Sequence, residues 1–239
     1  MPRFFCEHFL ENPVIEGEDG RHISRSLRMK VGEQLTVCDT MGTDYACEIE
    51  RIQEDTVYLK ILNRTENTSE PEIKVTLFQC IPKGDKLDYV VQKAVELGVH
   101  EIVPVLSSRC VSRPDAKSMA KKCQRLQKIA DEAAKQSGRG ILPKISEMIS
   151  FKECCEKLKN FDKSIIFYEL GGAPLKDIVK DSQSYAMLIG SEGGFSVDEV
   201  DLATQSGAVS ATLGKRILRT ETAPIAALTG IMLLSGNME

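Results

Sequence analysis

A polar loop followed by an apolar run is the first candidate for chemistry. LGKRILRTETAPIAAL, residues 213–228, alternates apolar and cationic residues up to Arg219, continues as Thr-Glu-Thr and then loses nearly all charge. The apolar part, residues 224–235, predicts a helix buried on most sides, with its proline in the first turn and a capping hydroxyl from Thr220 or Thr222. First-turn N–H groups favour a polar or anionic group beside the loop, although a capped core helix behind a solvated loop explains the same residues.

A glycine-rich turn precedes this loop. LIGSEGGFS, residues 188–196, places three glycines between a predicted buried strand and a predicted helix. Glycine at such a turn allows positive φ and close approach of another molecule to bare backbone. The spacing is not G-x-G-x-x-G and the Walker lysine is absent, which disfavours a dinucleotide or P-loop site. A tight turn alone explains the glycines equally well, and only the pairing with the second loop favours a binding site.

Cationic residues cluster twice on a chain whose net charge is −4. Arg21, Arg25 and Arg28 are spaced i, i+4 and i+7, which predicts three guanidinium groups on one helix face. Residues 107–144 hold ten Lys and Arg against three acids, and some of the cations recur every four residues. The four that do so are Arg113, Lys117, Lys121 and Arg125. Two such patches favour a polyanionic partner that touches both halves of the chain, although solvated surfaces balanced by nearby acids remain an alternative.

The periodicity indicates two domains. Residues 30–63 alternate as strands do, which predicts a small antiparallel sheet or barrel, preceded by a short helix over 19–28. A polar linker is expected at about 64–72. Beyond it, strands and helices alternate, which predicts a parallel sheet covered on both faces.

Composition restricts the class of protein. Of 239 residues 42% are hydrophobic, enough for a sizeable core, and no apolar run is long enough to cross a membrane. We therefore expect a soluble, unexported protein. The eight cysteines form no C-x-x-C pair and the three histidines complete no zinc spacing, so reduced, mostly buried thiols and no metal are expected.

Four motifs together resemble a known family. LIGSEGGFSVDEV, LGKRILRTETAPIAAL, KGDKLDYVVQKAVELGV and DEAAKQSGR resemble the SPOUT (α/β-knot) methyltransferases, within them the family that methylates N3 of a uridine in small-subunit (16S) ribosomal RNA. RHISRSLRMKVGE is similar to that family's N-terminal domain. The resemblance implies an RNA-binding PUA-like antiparallel β-barrel at 1–70 and a methyltransferase domain with a deep trefoil knot at 71–239. Ser191 stands where the family's turn usually carries proline.

The same resemblance implies a cofactor, S-adenosylmethionine, and the residues that hold it. Glycine-loop backbone groups would read the edge of the adenine, and apolar side chains would sandwich its face. The implied cofactor residues are Leu188, Ile189, Gly190, Glu192, Gly193, Gly194, Leu213, Gly214, Ile217, Leu218, Thr222 and Ala223.

Uridine N3 carries a proton at neutral pH, so its methylation needs a base or cations that stabilise the anion. Our hypothesis assigns Arg219 to stabilising the uridinate or orienting the base, and Glu221 to positioning Arg219 or accepting the proton. Under the same hypothesis five further side chains contact RNA phosphates from the barrel domain: Arg3, Arg21, His22, Arg25 and Arg28.

The implied partners are small-subunit ribosomal RNA or the assembled small subunit, and a second copy of the chain, since the family works as a homodimer through its knot helices. Cytoplasmic location is expected, with no membrane partner. Three alternatives stay open: a non-enzymatic RNA-binding factor, a nucleotide-dependent oxidoreductase, and a tRNA ribose methyltransferase of the same superfamily.

Overall fold

The computed structural model describes residues 1–238, which form two compact units. The first unit comprises Met1–Glu70 together with Ala134–Leu142. The second comprises Pro71–Ala133 and the chain from Pro143 onward.

The first unit is built on five strands and two short helical turns. These are β1 Arg3–Phe5, β2 Val14–Ile15, β3 Gln34–Cys38, β4 Thr43–Gln53 and β5 Thr56–Glu66, with helix α1 at Gly17–Arg21 and a π-helical turn at His22–Ser26. The strands pair in the order β1-β3-β4-β5-β2, and all pairs are antiparallel except β1 with β3. Alternate side chains of β3 and β4, among them Leu35, Val37, Cys47 and Ile49, are fully buried, which is the period that predicted this sheet.

The structure modifies the local expectations for this unit. The helix expected over 19–28 forms as α1 and the π-helical turn together, from Gly17 to Ser26, and Arg21 and Arg25 both pair with Asp55. Arg28 has φ +52 and lies beyond this helical segment, so the prediction that it shares their face was wrong. Strand β5 continues to Glu66, into the expected linker. The unit also includes residues 134–142, where Arg139 Nη2 lies 2.7 Å from Glu70 Oε2. Sequence periodicity gave no sign of this long-range pairing.

The second unit is an α/β layer structure. Its strands are β6 Lys74–Cys80, β7 Glu101–Leu106, β8 Lys144–Ile145, β9 Ile149–Ser150, β10 Lys163–Phe167, β11 Ala173–Pro174, β12 Ser184–Ile189 and β13 Ala208–Thr212. Its helices are α2 Lys86–Glu96, α3 Ala116–Ser137, whose last turn belongs to the first unit, α4 Phe151–Leu158, α5 Leu175–Ile178, α6 Val197–Gln205 and α7 Ala223–Leu234.

All described pairs in this second sheet are parallel, in the order β11-β13-β10-β12-β6-β7-β8, with β9 also beside β7. The predicted parallel α/β fold is confirmed. Strand β13 was not predicted, because AVSAT lacks the large β-branched and aromatic residues that mark a strand. It lies directly beside β10, so it decides what surrounds the end of that strand.

Helix α7 begins one residue before its predicted start, with Pro224 in its first turn as expected. The capping prediction was wrong: Thr222 makes no side-chain capping bond, and the Thr220 hydroxyl bonds elsewhere. Ala227, Leu228 and Ile231 are fully buried, whereas Leu233 and Leu234 are exposed.

Composition also led to predictions about the cysteines and about membrane-spanning helices. All eight cysteines are unpaired and seven are buried, as expected for reduced thiols. Burial raises the pKa of Cys38 to about 11 and that of Cys47 to about 12. Within residues 1–238, every helix is too short or too polar to span a bilayer.

Candidate functional site

The site lies where three neighbouring parallel strands end. The loops that follow β10, β12 and β13 surround a cavity of about 590 Å³. Crevices at the carboxyl ends of parallel strands are the usual ligand sites of open α/β sheets. The cavity is lined by Lys86, Phe167, Tyr168, Glu169, Ile189, Gly190, Ser191, Glu192, Gly193, Gly194, Thr212, Leu213, Gly214, Lys215, Arg216, Ile217, Leu218, Arg219, Thr220, Glu221 and Ala223.

A buried hydrogen-bond cluster joins the glycine turn to the loop before α7. The Thr220 hydroxyl donates to the Gly190 carbonyl at 2.7 Å. The Gln79 side-chain amide, at the end of β6, lies 3.4 Å from that carbonyl and 3.3 Å from the Thr220 hydroxyl. Gln79 is 0% exposed and Thr220 6%, so the bonds are shielded from water. The two segments that the sequence singled out are therefore held side by side.

The glycines of the turn serve the packing of the protein itself. The Gly194 amide donates to the Ser191 carbonyl at 2.9 Å, and Gly194 has φ +63. A Cβ on Gly190 would lie 2.9 Å from Gly194 Cα, closer than real side chains come. A side chain at Gly190 would therefore clash with the turn itself. All three glycines also line the cavity, and the expectation that they let another molecule approach bare backbone stays a prediction.

A charged cluster lies at the β6 side of the cavity. Lys86 Nζ lies 2.7 Å from Glu192 Oε1 and 3.6 Å from Glu221 Oε2, too far in the second case for a hydrogen bond. Burial raises the pKa of Glu192, but the bond from Lys86 and backbone N–H groups outweigh it, so the pKa lies below its ordinary value. The Glu192 bond in turn raises the pKa of Lys86. Glu221 Oε2 is buried and has no hydrogen-bond partner among the described residues.

Most of the predicted cofactor residues line this cavity. They are Ile189, Gly190, Glu192, Gly193, Gly194, Leu213, Gly214, Ile217, Leu218 and Ala223, together with Arg219 and Glu221, which were assigned to the chemistry. Two are not part of the lining: Leu188 is 1% exposed within β12, and Thr222 lies at the start of α7. Ile217 is 82% exposed, an apolar side chain left uncovered at the mouth of the cavity.

Sequence reasoning missed Lys86 and the loop of Phe167, Tyr168 and Glu169. A signal for the second was present, since SIIFYEL was predicted as a strand and the ends of parallel strands share one edge of a sheet. Lys86 carried no such signal, because only the strand order brings it within reach of Glu192, 106 positions away.

The five predicted RNA contacts fall into two groups. Arg21, His22, Arg25 and Arg28 are exposed, and Asp55 pairs with Arg21 at 3.3 Å and with Arg25 at 2.9 Å.

Arg3 is placed differently. Its side chain is only 11% exposed and forms a two-pronged bond with Asp44, at 2.6 and 2.9 Å. It also donates to the Arg139 carbonyl at 2.7 Å. The Arg3 guanidinium is committed to the interior of the first unit, so a phosphate contact would have to displace these bonds.

Comparison with known proteins extends the match to the whole chain. Residues 69–232 match the family described as RNA methyltransferase domain, and residues 15–62 match the RNA methyltransferase PUA domain. The ribosomal RNA small subunit methyltransferase E of Bacillus subtilis is 36% identical, over 97% of this chain and 96% of its own. That of Mesomycoplasma hyopneumoniae is 34% identical, over 96% and 98%.

A solved structure agrees with these relatives. The ribosomal RNA small subunit methyltransferase E of Neisseria gonorrhoeae, crystallised with S-adenosyl methionine bound, has a TM-score of 0.89 to this chain at 34% identity and covers 98% of each chain. The resemblance drawn from the four motifs is thus confirmed. This chain belongs to the RNA methyltransferase family that includes the ribosomal RNA small subunit methyltransferase E proteins.

Proposed function

We propose that this chain transfers a methyl group from S-adenosylmethionine to N3 of a uridine in small-subunit ribosomal RNA. The observation that carries the proposal is the Thr220 to Gly190 bond, which closes two loops around a cavity of about 590 Å³. Family membership supports methylation of ribosomal RNA, and the choice of N3 rests on the motif resemblance.

The cavity suits a bent adenosyl ligand. Its volume lies within the range of about 300–1,000 Å³ typical of small-molecule sites. Leu213, Ile217 and Leu218 offer apolar surface to a flat base, and the unusual exposure of Ile217 is what a covering ligand would relieve. When bound, S-adenosylmethionine supplies a methyl group made electrophilic by its sulfonium centre, so the reaction requires no metal.

Arg219 and Glu221 remain the proposed catalytic pair. Arg219 is exposed at the cavity, and its guanidinium N–H groups donate no hydrogen bond to another described residue. It can therefore stabilise negative charge on the O2 and O4 atoms of a deprotonated uracil. Glu221 Oε2 is buried and accepts no hydrogen bond from the described residues, so it can accept the N3 proton, and Lys86 Nζ lies 3.6 Å away as its ion-pair partner.

The first test separates chemistry from cofactor binding. We expect Arg219→Ala to slow transfer of labelled methyl groups to small ribosomal subunits about 10²–10³-fold, the usual cost of one charge-stabilising donor. Calorimetry should give a cofactor affinity within about twofold of wild type. Lys176→Ala removes an exposed cation on α5 and is the matched control. Unimpaired transfer by Arg219→Ala would remove this residue from the mechanism.

The reaction itself is tested by mapping modified nucleotides in ribosomal RNA from cells with and without the protein. Loss of one N3-methyluridine in the small-subunit RNA supports the proposal. A ribose methyl mark in tRNA would favour the related superfamily activity instead, and RNA binding without cofactor binding would favour a non-enzymatic factor.

RNA binding is proposed for the exposed cations of both units. In the first these are Arg21, His22, Arg25 and Arg28. On α3, Lys117 and Lys121 are exposed, whereas Arg125 Nη2 lies 2.7 Å from Asp88 Oδ1. An alanine variant that removes one cation bound to a phosphate should lower the dependence of log affinity on log salt concentration by about one.

The assembly is proposed to be a homodimer with a knotted second unit, acting in the cytoplasm where the ribosomal RNA is. Leu233 and Leu234 are exposed at the end of the apolar helix α7, and they supply a surface that a second copy of the chain would cover. The knot is proposed from the family resemblance. The loop before α7 lies beside the glycine turn, bonded through Thr220 and Gly190. Sedimentation should give a dimer for the wild type and a monomer for Leu233→Asp.

A further inference from the structure

We propose that Glu169 accepts hydrogen bonds from the ribose hydroxyls of the bound cofactor, an inference that rests on the proposed function. Glu169 follows β10, and its loop is a third wall of the cavity beside the two loops already assigned to the cofactor. The sequence motifs gave it no role.

The position of the carboxylate depends on Gly194. A Cβ at residue 194 would lie 2.7 Å from Glu169 Oε1 and 3.0 Å from Oε2, so both oxygens fill the space that a side chain there would take. The carboxylate therefore stands directly against the glycine turn, at the wall of the cavity. Among the described residues, Glu169 has no hydrogen bond or ion pair. An exposed, unpartnered carboxylate at a cavity wall has its full acceptor capacity available to a ligand.

The strand order decides which part of the ligand Glu169 meets. β10 lies between β13 and β12, and β6 lies beyond β12. The apolar residues Leu213, Ile217 and Leu218 belong to the loop that follows β13, the neighbour of β10 on one side. Lys86 follows β6 and Glu192 follows β12, both strands on the other side of β10, and these two side chains form the charged cluster. An adenine packed on the apolar side chains places its attached ribose in the middle of the cavity, beside Glu169.

The chemistry matches this placement. A carboxylate has two acceptor oxygens and the ribose offers two vicinal hydroxyl donors, so both can be satisfied together. Dinucleotide-binding folds use an acidic residue for the ribose in the same way. The competing partner is the ammonium group of the methionine moiety, which would place that end of the cofactor at β10.

The experiment compares two cofactor analogues by calorimetry. S-adenosylhomocysteine keeps both the ribose and the amino-acid part, whereas 5′-methylthioadenosine keeps the ribose and lacks the amino-acid part. We expect Glu169→Gln to weaken both by a similar factor, about tenfold to a hundredfold, because the hydroxyls no longer bond to a charged acceptor. In addition, the wild type should prefer 5′-methylthioadenosine to its 2′-deoxy analogue, and Glu169→Gln should lose most of that preference.

Controls keep the outcomes distinct. Glu156→Gln alters an exposed glutamate on α4 and should bind both analogues as wild type does. A thermal unfolding scan checks that Glu169→Gln is folded. Weakened binding of S-adenosylhomocysteine alone would assign Glu169 to the ammonium group and overturn the inference, as would unchanged binding of both analogues. Failure of the wild-type protein to bind either analogue would instead refute the proposed function.

Discussion

The bond between Thr220 and Gly190 provides the sharpest test of how the site is held together. Thr220→Val keeps the shape of the side chain and removes the hydroxyl, so the 2.7 Å bond to the Gly190 carbonyl cannot form. The Gln79 amide also loses this hydroxyl as a hydrogen-bond acceptor, which lies 3.3 Å away in the wild type. Gly190 keeps only the longer 3.4 Å bond from Gln79.

The magnitude follows from burial. One neutral hydrogen bond contributes about 1 kcal/mol net, and removing one partner of a buried group costs about 1–3 kcal/mol. Because Gln79 still reaches Gly190, we expect a loss of about 1–2 kcal/mol, at the lower end of that range. If the loss falls on closure of the two loops, the dissociation constant for S-adenosylhomocysteine should rise about fivefold to thirtyfold.

Calorimetry measures the affinity, and guanidinium unfolding measures the stability. Thr220→Ser is the matched control, since it keeps the hydroxyl and loses a methyl group worth about 0.8 kcal/mol. It should lose stability without losing affinity. Equal affinities for the valine variant and the wild type, or equal losses for valine and serine, would refute the idea that this bond holds the site closed.

Three further outcomes follow. The Lys86 bond lowers the pKa of Glu192 below its ordinary value of 4.5. The stabilisation that this ion pair gives the folded protein is therefore present above pH 4.5 and is lost as the pH falls through the lowered pKa. Unfolding of Lys86→Met in urea should depend less on pH in this window than unfolding of the wild type. Asp44→Asn should cost about 3 kcal/mol in chemical denaturation, because it leaves the mostly buried Arg3 charge uncompensated, and an unchanged midpoint would contradict this. Gly194→Ala should lower the free energy of unfolding by about 1–2 kcal/mol, because alanine is strained at φ +63. The Glu169 carboxylate near the new Cβ can move and adds little to this loss, so a second substitution that removes the carboxylate should restore little stability.

Part of the fold could be predicted from the sequence because it depends on local patterns. The alternation over residues 30–63 predicted strands β3 to β5, and the alternating strand and helix patterns beyond residue 72 predicted a parallel sheet. Proline at the start of an uncharged run placed α7 to within one residue. These features depend on neighbours a few positions apart, which is the range over which side-chain period and backbone preference act.

The arginine pattern shows where local reasoning fails. Arg21, Arg25 and Arg28 have helical spacing, and the first two do lie in one helical segment, yet that segment ends at Ser26 and Arg28 adopts positive φ. Arg3 was expected to contact RNA phosphates, and in the structure its guanidinium bonds to Asp44 and to the Arg139 carbonyl. Spacing specifies which residues share a face only if the element continues, and it says nothing about a distant acceptor.

By itself, the sequence indicated the two loops that line the cavity, through glycine spacing and through polar residues placed before an apolar helix. Only the tertiary structure decided what completes the site. The order β13-β10-β12-β6 sets Glu169 between the two loops and Lys86 at their charged end. Strand order depends on how crossover connections pack, and one-dimensional periodicity carries no record of it.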